Sequence, residues 1–198
     1  MSVEPADGVP EFLEIAHFAR DARSLDLGAF RARHGDSFLT RRGALSPERR
    51  PKRPQRTIAM RDVQAAAAAA AAAPPVPAPP PAEGPPATPD LIVFPVRPTG
   101  RSPFPRMITV GRTKNNDVIL SDIGVSKFHA FFKEEGGKVV LQDAESRNGT
   151  FADGKPVPTT KLGKAVEVAP GTKVKFGMLE FWLLNAAGLQ DLARRSCP

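Results

Sequence analysis

The chain is 198 residues long, which leaves room for one compact domain with extensions or for two very small ones. Hydrophobic residues make up a normal globular 41%, yet most of the 22 prolines fall in the first half and mark much of it as unpacked. The net charge is +7, and the single cysteine, Cys197, excludes an internal disulfide and a thiolate-rich metal site.

No apolar run reaches the roughly 18 residues of a membrane span. The start, MSVEPADGVPEF, lacks the basic-then-apolar order of a signal peptide. A cytoplasmic protein without a membrane partner is expected.

Residues 1–46 read as a small N-terminal segment, helical or irregular, whose role the sequence does not define. Phe12, Ile15, Phe18 and Ala19 fall near helical spacing. Leu25, Leu27 and Phe30 continue the stripe after a break at Ser24, and Phe38-Leu39-Thr40 suits a short strand. A segment this small buries too little to stand alone, so it must lean on the later domain, bind a partner or stay dynamic.

Residues 47–90 read as a flexible linker that starts basic and turns Ala/Pro-rich. Its stretch PPVPAPPPAEGPPATP favours extended polyproline II, the conformation of a semi-rigid spacer. The densest basic run comprises Arg41, Arg42, Arg49, Arg50, Lys52, Arg53, Arg56 and Arg61. Such charge attracts polyanions, but no aromatic side chains are interleaved for base stacking, which argues against a nucleic-acid partner. Thr57 follows basic residues here and is a candidate phosphosite for a Ser/Thr kinase.

From Leu91 the pattern changes to short β-type segments, recurring every 8–12 residues or so between glycine and charged turns. Gly136-Gly137 and Pro170-Gly171 mark two of the turns. The expected class is all-β, with a sandwich over residues 91–184 and a tail, 185–198, that forms a brief helix.

Three motifs stand in loops of this part, with a fourth short piece, Asn115-Asn116-Asp117, between the first two. Gly111-Arg112 ends a strand, and a guanidinium offers a planar, permanently charged fork that matches phosphate oxygens. Ser126-Lys127-Phe128-His129 supplies a hydroxyl donor and a further cation. Ser146-Arg147-Asn148-Gly149-Thr150 is a tight turn whose Asn148 amide can both donate to and accept from a peptide backbone. Asp143, just upstream, is placed to brace that turn.

Ser126 and His129 do not make a hydrolase: no nucleophile elbow surrounds the serine and no acid is placed to orient the imidazole. The other histidines, His17 and His34, lie far away in sequence, so neither a metal site nor a cofactor is expected and no residue reads as catalytic.

In order and spacing, G-R, S-x-x-H and S-x-N-G-T resemble the forkhead-associated (FHA) family over residues 91–184. The resemblance implies a β-sandwich that binds phosphothreonine peptides through loops at one end. It would put Arg112 and Ser126 on the phosphate and Asn148 on the peptide backbone. Lys127 and Arg147 would be supplementary contacts, and Gly111, His129 and Gly149 structural. Many members carry arginine at the position of Lys127, which keeps the charge but gives up a bidentate fork.

The resulting expectation is a non-enzymatic phosphothreonine-binding signalling adaptor that recruits Ser/Thr-kinase substrates or the kinase itself and is regulated by its own phosphorylated Thr57. The Ala/Pro-rich linker suggests a bacterial source. The alternative is a nucleic-acid-associated regulator that uses the basic segment 41–61 while the FHA-like part recruits partners.

Overall fold

The computed structural model describes residues 11–43, 45, 85–136 and 138–197. Thr57 and most of the expected linker lie outside the described residues.

In chain order the elements begin with β1 (Leu13–Glu14), α1 (Ala16–Ser24), α2 (Leu27–His34) and β2 (Ser37–Arg42). The next strands are β3 (Leu91–Pro95), β4 (Ile108–Gly111), β5 (Val118–Ile119), β6 (Ala130–Glu135) and β7 (Lys138–Asp143). The last are β8 (Thr150–Ala152), β9 (Lys155–Pro156), β10 (Val166–Glu167), β11 (Lys173–Phe176), β12 (Leu179–Asn185) and α3 (Ala186–Ser196). They make a seven-stranded sheet, β1-β3-β2-β12-β11-β8-β9, and a five-stranded sheet, β10-β7-β6-β4-β5.

Alternation along the strands assigns the core. Leu39, Ile92, Phe94, Phe176 and Phe181 of the larger sheet bury against Val110, Ala130, Phe132 and Leu141 of the smaller. The opposite face of the larger sheet has its own core. Phe38, Leu91, Val93 and Leu184 pack there under Ile15, Phe18, Ala22 and Phe30 from the N-terminal helices and Leu189 and Leu192 from α3. The protein is therefore a β-sandwich with a helical layer on one side.

That layer satisfies its own helix ends. The Asp26 carboxylate accepts from the Ala29 N–H at 2.8 Å to start α2, and the Asn185 amide oxygen accepts from the Gly188 N–H at 2.9 Å to start α3. At the end of α1, the carbonyl of Ala22 accepts from Gln190 Nε2 and Arg194 Nε, and that of Leu25 from Gln190 Nε2 at 2.8 Å. The last helix thus caps the first.

The sandwich reaches back beyond residue 91. β2, from the small N-terminal segment, lies between β3 and β12, pairing Leu39 with Phe94 on one edge and with Leu183 on the other, so that the segment leans on the later domain. Periodicity marked Phe38-Leu39-Thr40 as a strand, but a strand's partners are not written in its own residues. The basic run is reassigned in part for the same reason. Arg41 and Arg42 belong to β2, with Arg41 over the Phe181 ring at 5.7 Å and Arg42 paired to Asp90 at 2.8 Å. The remaining cations of that run lie outside the described residues.

β6 starts at Ala130, so Phe128 and His129 belong to the loop before it. Strand alternation therefore does not set the direction of His129.

Phe38 is fully buried between sheet and helices. Phe38→Ala in the full chain is expected to lower the unfolding free energy by about 3–5 kcal/mol in urea denaturation. A loss below about 1 kcal/mol would show that the N-terminal segment contributes little to the fold.

Candidate functional site

The three motifs meet at the end of the sandwich where β4 finishes and β8 and β12 begin. Gly111 closes β4 because nothing larger fits: a Cβ there would stand 2.3 Å from the Lys127 carbonyl oxygen and 2.8 Å from Asn116 Nδ2. This close approach sets the next residue against the following loop, and the Arg112 N–H donates to the Ser126 carbonyl at 3.0 Å.

Asn116 is buried and ties the two loops together. Its Nδ2 donates to the Thr113 carbonyl and to the Lys127 carbonyl, each at 2.8 Å. The Thr113 hydroxyl also donates to the Lys127 carbonyl, at 2.9 Å. Asp117, buried beside it, accepts from the N–H and hydroxyl of both Thr99 and Thr109 at 2.7–3.0 Å. The sequence marks Asn115-Asn116-Asp117 as one of the pieces whose order and spacing matter, but it gives Asn116 and Asp117 no individual role. An Asn-Asp pair between two β-type segments was their only signal, and it also fits an ordinary turn.

Ser126 is the junction of the site. Its N–H donates to His129 Nδ1 at 3.0 Å, and its Oγ accepts the Arg147 N–H at 3.0 Å. With Oγ held as an acceptor from inside, its own proton is left to donate outward.

His129 is fully buried and bridges two loops: Nδ1 faces the Ser126 N–H, and Nε2 lies 3.1 Å from the Gly149 carbonyl. This pair of partners requires the neutral tautomer with its proton on Nε2. Burial pushes the imidazole pKa below its ordinary 6.5, against the opposing pull of the Gly149 carbonyl and of Asp143.

Asp143 braces the Ser146–Thr150 turn from beneath. It accepts from the Ser146 N–H at 2.8 Å, and from the Ser146 and Thr150 hydroxyls at 2.6 Å each. Ser146 and Thr150 are thereby committed inward. Arg147 and Asn148 are left exposed at the top of the turn.

Asn148 Nδ2 donates to the Gly124 carbonyl at 2.8 Å, which leaves Oδ1 and the second N–H of the amide for a ligand. Gly149 has φ 76°, and its carbonyl also accepts the Gly177 N–H at 3.0 Å, bringing the β11–β12 turn against the site. The Lys127 side chain is exposed, while its backbone carbonyl is the acceptor shared by Asn116 and Thr113.

The fold therefore gathers Arg112, Ser126, Lys127, Arg147 and Asn148 on neighbouring loops at one end, with Gly111, His129 and Gly149 holding those loops together. The arrangement offers outward cations, a hydroxyl and an amide above a buried polar brace. Such a rim is suited to holding an anion and a peptide backbone.

A family model described as FHA domain matches residues 108–177. The chain is 35% identical over 92 residues to the glycogen accumulation regulator GarA of Mycolicibacterium smegmatis, covering 45% of this chain and 58% of that protein. It is 30% identical over 92 residues to the oxoglutarate dehydrogenase inhibitor of Corynebacterium jeikeium, covering 45% and 64% respectively. The chain thus spans somewhat over half the length of these curated relatives. Among solved structures it is similar to Mycobacterium tuberculosis EmbR in complex with a low-affinity phosphopeptide, with 25% identity, 40% of this chain and 20% of that chain covered, and a TM-score of 0.36.

The depressed pKa of His129 has a signed consequence. The unfolded chain takes up a proton on this imidazole near pH 6.5 and the folded chain only at lower pH, so protonation favours unfolding. The bracing is complete above that pH and is lost as pH falls below it. His129→Ala is expected to cost about 2–5 kcal/mol, because it strands the Ser126 N–H and the Gly149 carbonyl. The variant should also lose less stability than the native chain between about pH 7.5 and about pH 5.5. Urea midpoints at the two pH values check both points; parallel pH profiles would show that this imidazole does not titrate with unfolding.

Proposed function

Residues 108–177 form a forkhead-associated domain, and from that premise we propose that the chain is a non-enzymatic signalling adaptor that binds phosphothreonine peptides at this rim. The observation that carries the reading is the Ser126 junction. Its Oγ is occupied as an acceptor by the Arg147 N–H, so it presents a donor, on a loop bonded backbone to backbone to Arg112.

A phosphate with nearly two negative charges is well held by one guanidinium and neutral donors at a solvent-open edge. Arg112 and Ser126 take the phosphate in this reading, and the free half of the Asn148 amide takes the ligand backbone. Lys127 and Arg147, both exposed, add charge, the lysine without a fork. The ligands are phosphothreonine-containing proteins, namely substrates of a Ser/Thr kinase or the kinase itself. Two supports come from relatives: one is named a regulator and another an inhibitor, and neither name describes catalysis.

A second element concerns regulation. β2 and β3 pair as far as Arg42 and Leu91, and the ladder continues with the Gly43 N–H donating to the Asp90 carbonyl at 3.0 Å. This is the end at which β12 begins, beside the Gly177-Met178 turn, so residues 43–90 leave and rejoin the sheet next to the rim. The stretch from Arg42 to Thr57 can span roughly 50 Å when extended. Phosphorylated Thr57 is therefore within reach of the site, and tethering would raise its effective concentration to about the millimolar range.

Arg112→Ala is expected to weaken binding of a phosphothreonine peptide by about 2–5 kcal/mol, as measured by fluorescence anisotropy with the full chain. The unphosphorylated peptide should not bind. Equal binding by native and variant chains would remove Arg112 from the phosphate site. For regulation, protein phosphorylated at Thr57 is expected to bind the same peptide at least roughly tenfold more weakly than unphosphorylated protein. Equal affinities would sink the self-occupancy idea and leave peptide binding intact.

A further inference from the structure

The helical layer covers only half of the outer face of the larger sheet, where Phe38, Leu91, Val93 and Leu184 lie. The other half carries a shallow groove of about 330 Å³, lined among others by Arg41, Arg42, Lys173, Met178, Glu180 and Trp182. Lys173 pairs in register with Trp182 and sets its ammonium 5.0 Å from the indole centroid; Lys175 pairs with Glu180 and lies 5.6 Å from the Phe151 ring. On this face three cations, Arg42, Lys173 and Lys175, thus stand around one carboxylate, Glu180.

Two observations show that this charge is available. Arg42 is held only by an exposed pair with Asp90, a contact worth little in water. Lys173 and Lys175 contact aromatic rings and form no ion pair among the described residues.

The groove is also continuous with the rim. Met178 is 56% exposed, and its Cγ and Asn148 Nδ2 each lie 3.9 Å from where a Cβ on Gly124 would stand. A peptide strand leaving Asn148 in this direction crosses the flexible thioether of Met178 and then meets Arg42, Lys173 and Trp182.

We propose that this groove is a second recognition surface, which binds an acidic flank, rich in Asp or Glu, of the same ligand whose phosphothreonine sits at Arg112 and Ser126. The inference rests on the phosphothreonine reading and adds a sequence preference that the rim itself does not supply. Carboxylates suit the groove because they offer Lys173 and Lys175 an ion pair and compete with Asp90 for Arg42. The aromatic rings under Lys173 and Lys175 hold those ammonium groups in place facing the ligand.

The test uses the full chain and two labelled phosphothreonine peptides that differ only in carrying acidic or neutral residues on both flanks. The acidic-flanked peptide is expected to bind roughly fivefold more tightly. The Lys173→Ala/Lys175→Ala double variant should erase that preference while leaving the neutral peptide's affinity unchanged. Lys173 is exposed and Lys175 half-buried on the sheet surface, outside both cores, and an unchanged urea midpoint verifies that the double variant folds. Equal affinities in the native chain, or a preference that survives in the double variant, would overturn the groove while the phosphothreonine reading stands. Failure of both peptides to bind would overturn that reading and this inference with it. Displacement of the acidic-flanked peptide alone by a short single-stranded oligonucleotide would reassign the groove to nucleic acid.

Discussion

The ladder that β2 makes along both of its edges joins three lengths of chain that are distant in sequence. β3 returns only after residues 43–90, and β12 stands near the C-terminal end. Without β2 the larger sheet would split between β3 and β12, and each piece would show a bare row of backbone donors and acceptors. The two faces of the strand do different work. Leu39 closes the sandwich core, and Phe38 founds the core beneath the helices. Its last residues, Arg41 and Arg42, carry the sheet to the end where the motif loops stand.

Those loops are held by buried polar groups, with little apolar packing of their own. Asn116, Asp117, His129 and Asp143 are all buried, and each satisfies two or more groups from other segments. Polar networks of this kind are costly when half satisfied and stiff when complete. Stiffness suits a recognition rim, since loops already in place lose less conformational freedom when a ligand arrives. It also divides the labour of the motifs. In S-x-N-G-T the serine and threonine turn inward to Asp143, and the residues between them turn outward.

Much of this architecture was legible in local pattern. The period-two segments from Leu91 onward, the break at Ser24 and the glycine turns lie where the strands and helices begin and end, because each reflects backbone preferences of the residues present. The three motifs marked the loops that the fold gathers at one end. Pairing was not legible. β2 finds its partners across residues 43–90, and the two-residue strands β1 and β9 are too short for alternation to register, the latter also containing Pro156. Gly111 illustrates the same limit. The resemblance marked it only as structural, and the atom that makes it so, the Lys127 carbonyl oxygen nearest its missing Cβ, belongs to a different loop.

The capping of α1 by Gln190 and Arg194 bears on the order in which the chain can assemble. The carbonyls of Ala22 and Leu25 emerge early in synthesis, but their partners belong to the last helix. β2, likewise made early, waits for β12 to occupy its second edge. Pairing between strands so distant in sequence slows folding, since loop closure must precede the contacts that reward it. On the nascent chain one edge of β2 therefore stays open until β12 has been made, and the end of α1 gains these caps only once α3 has followed.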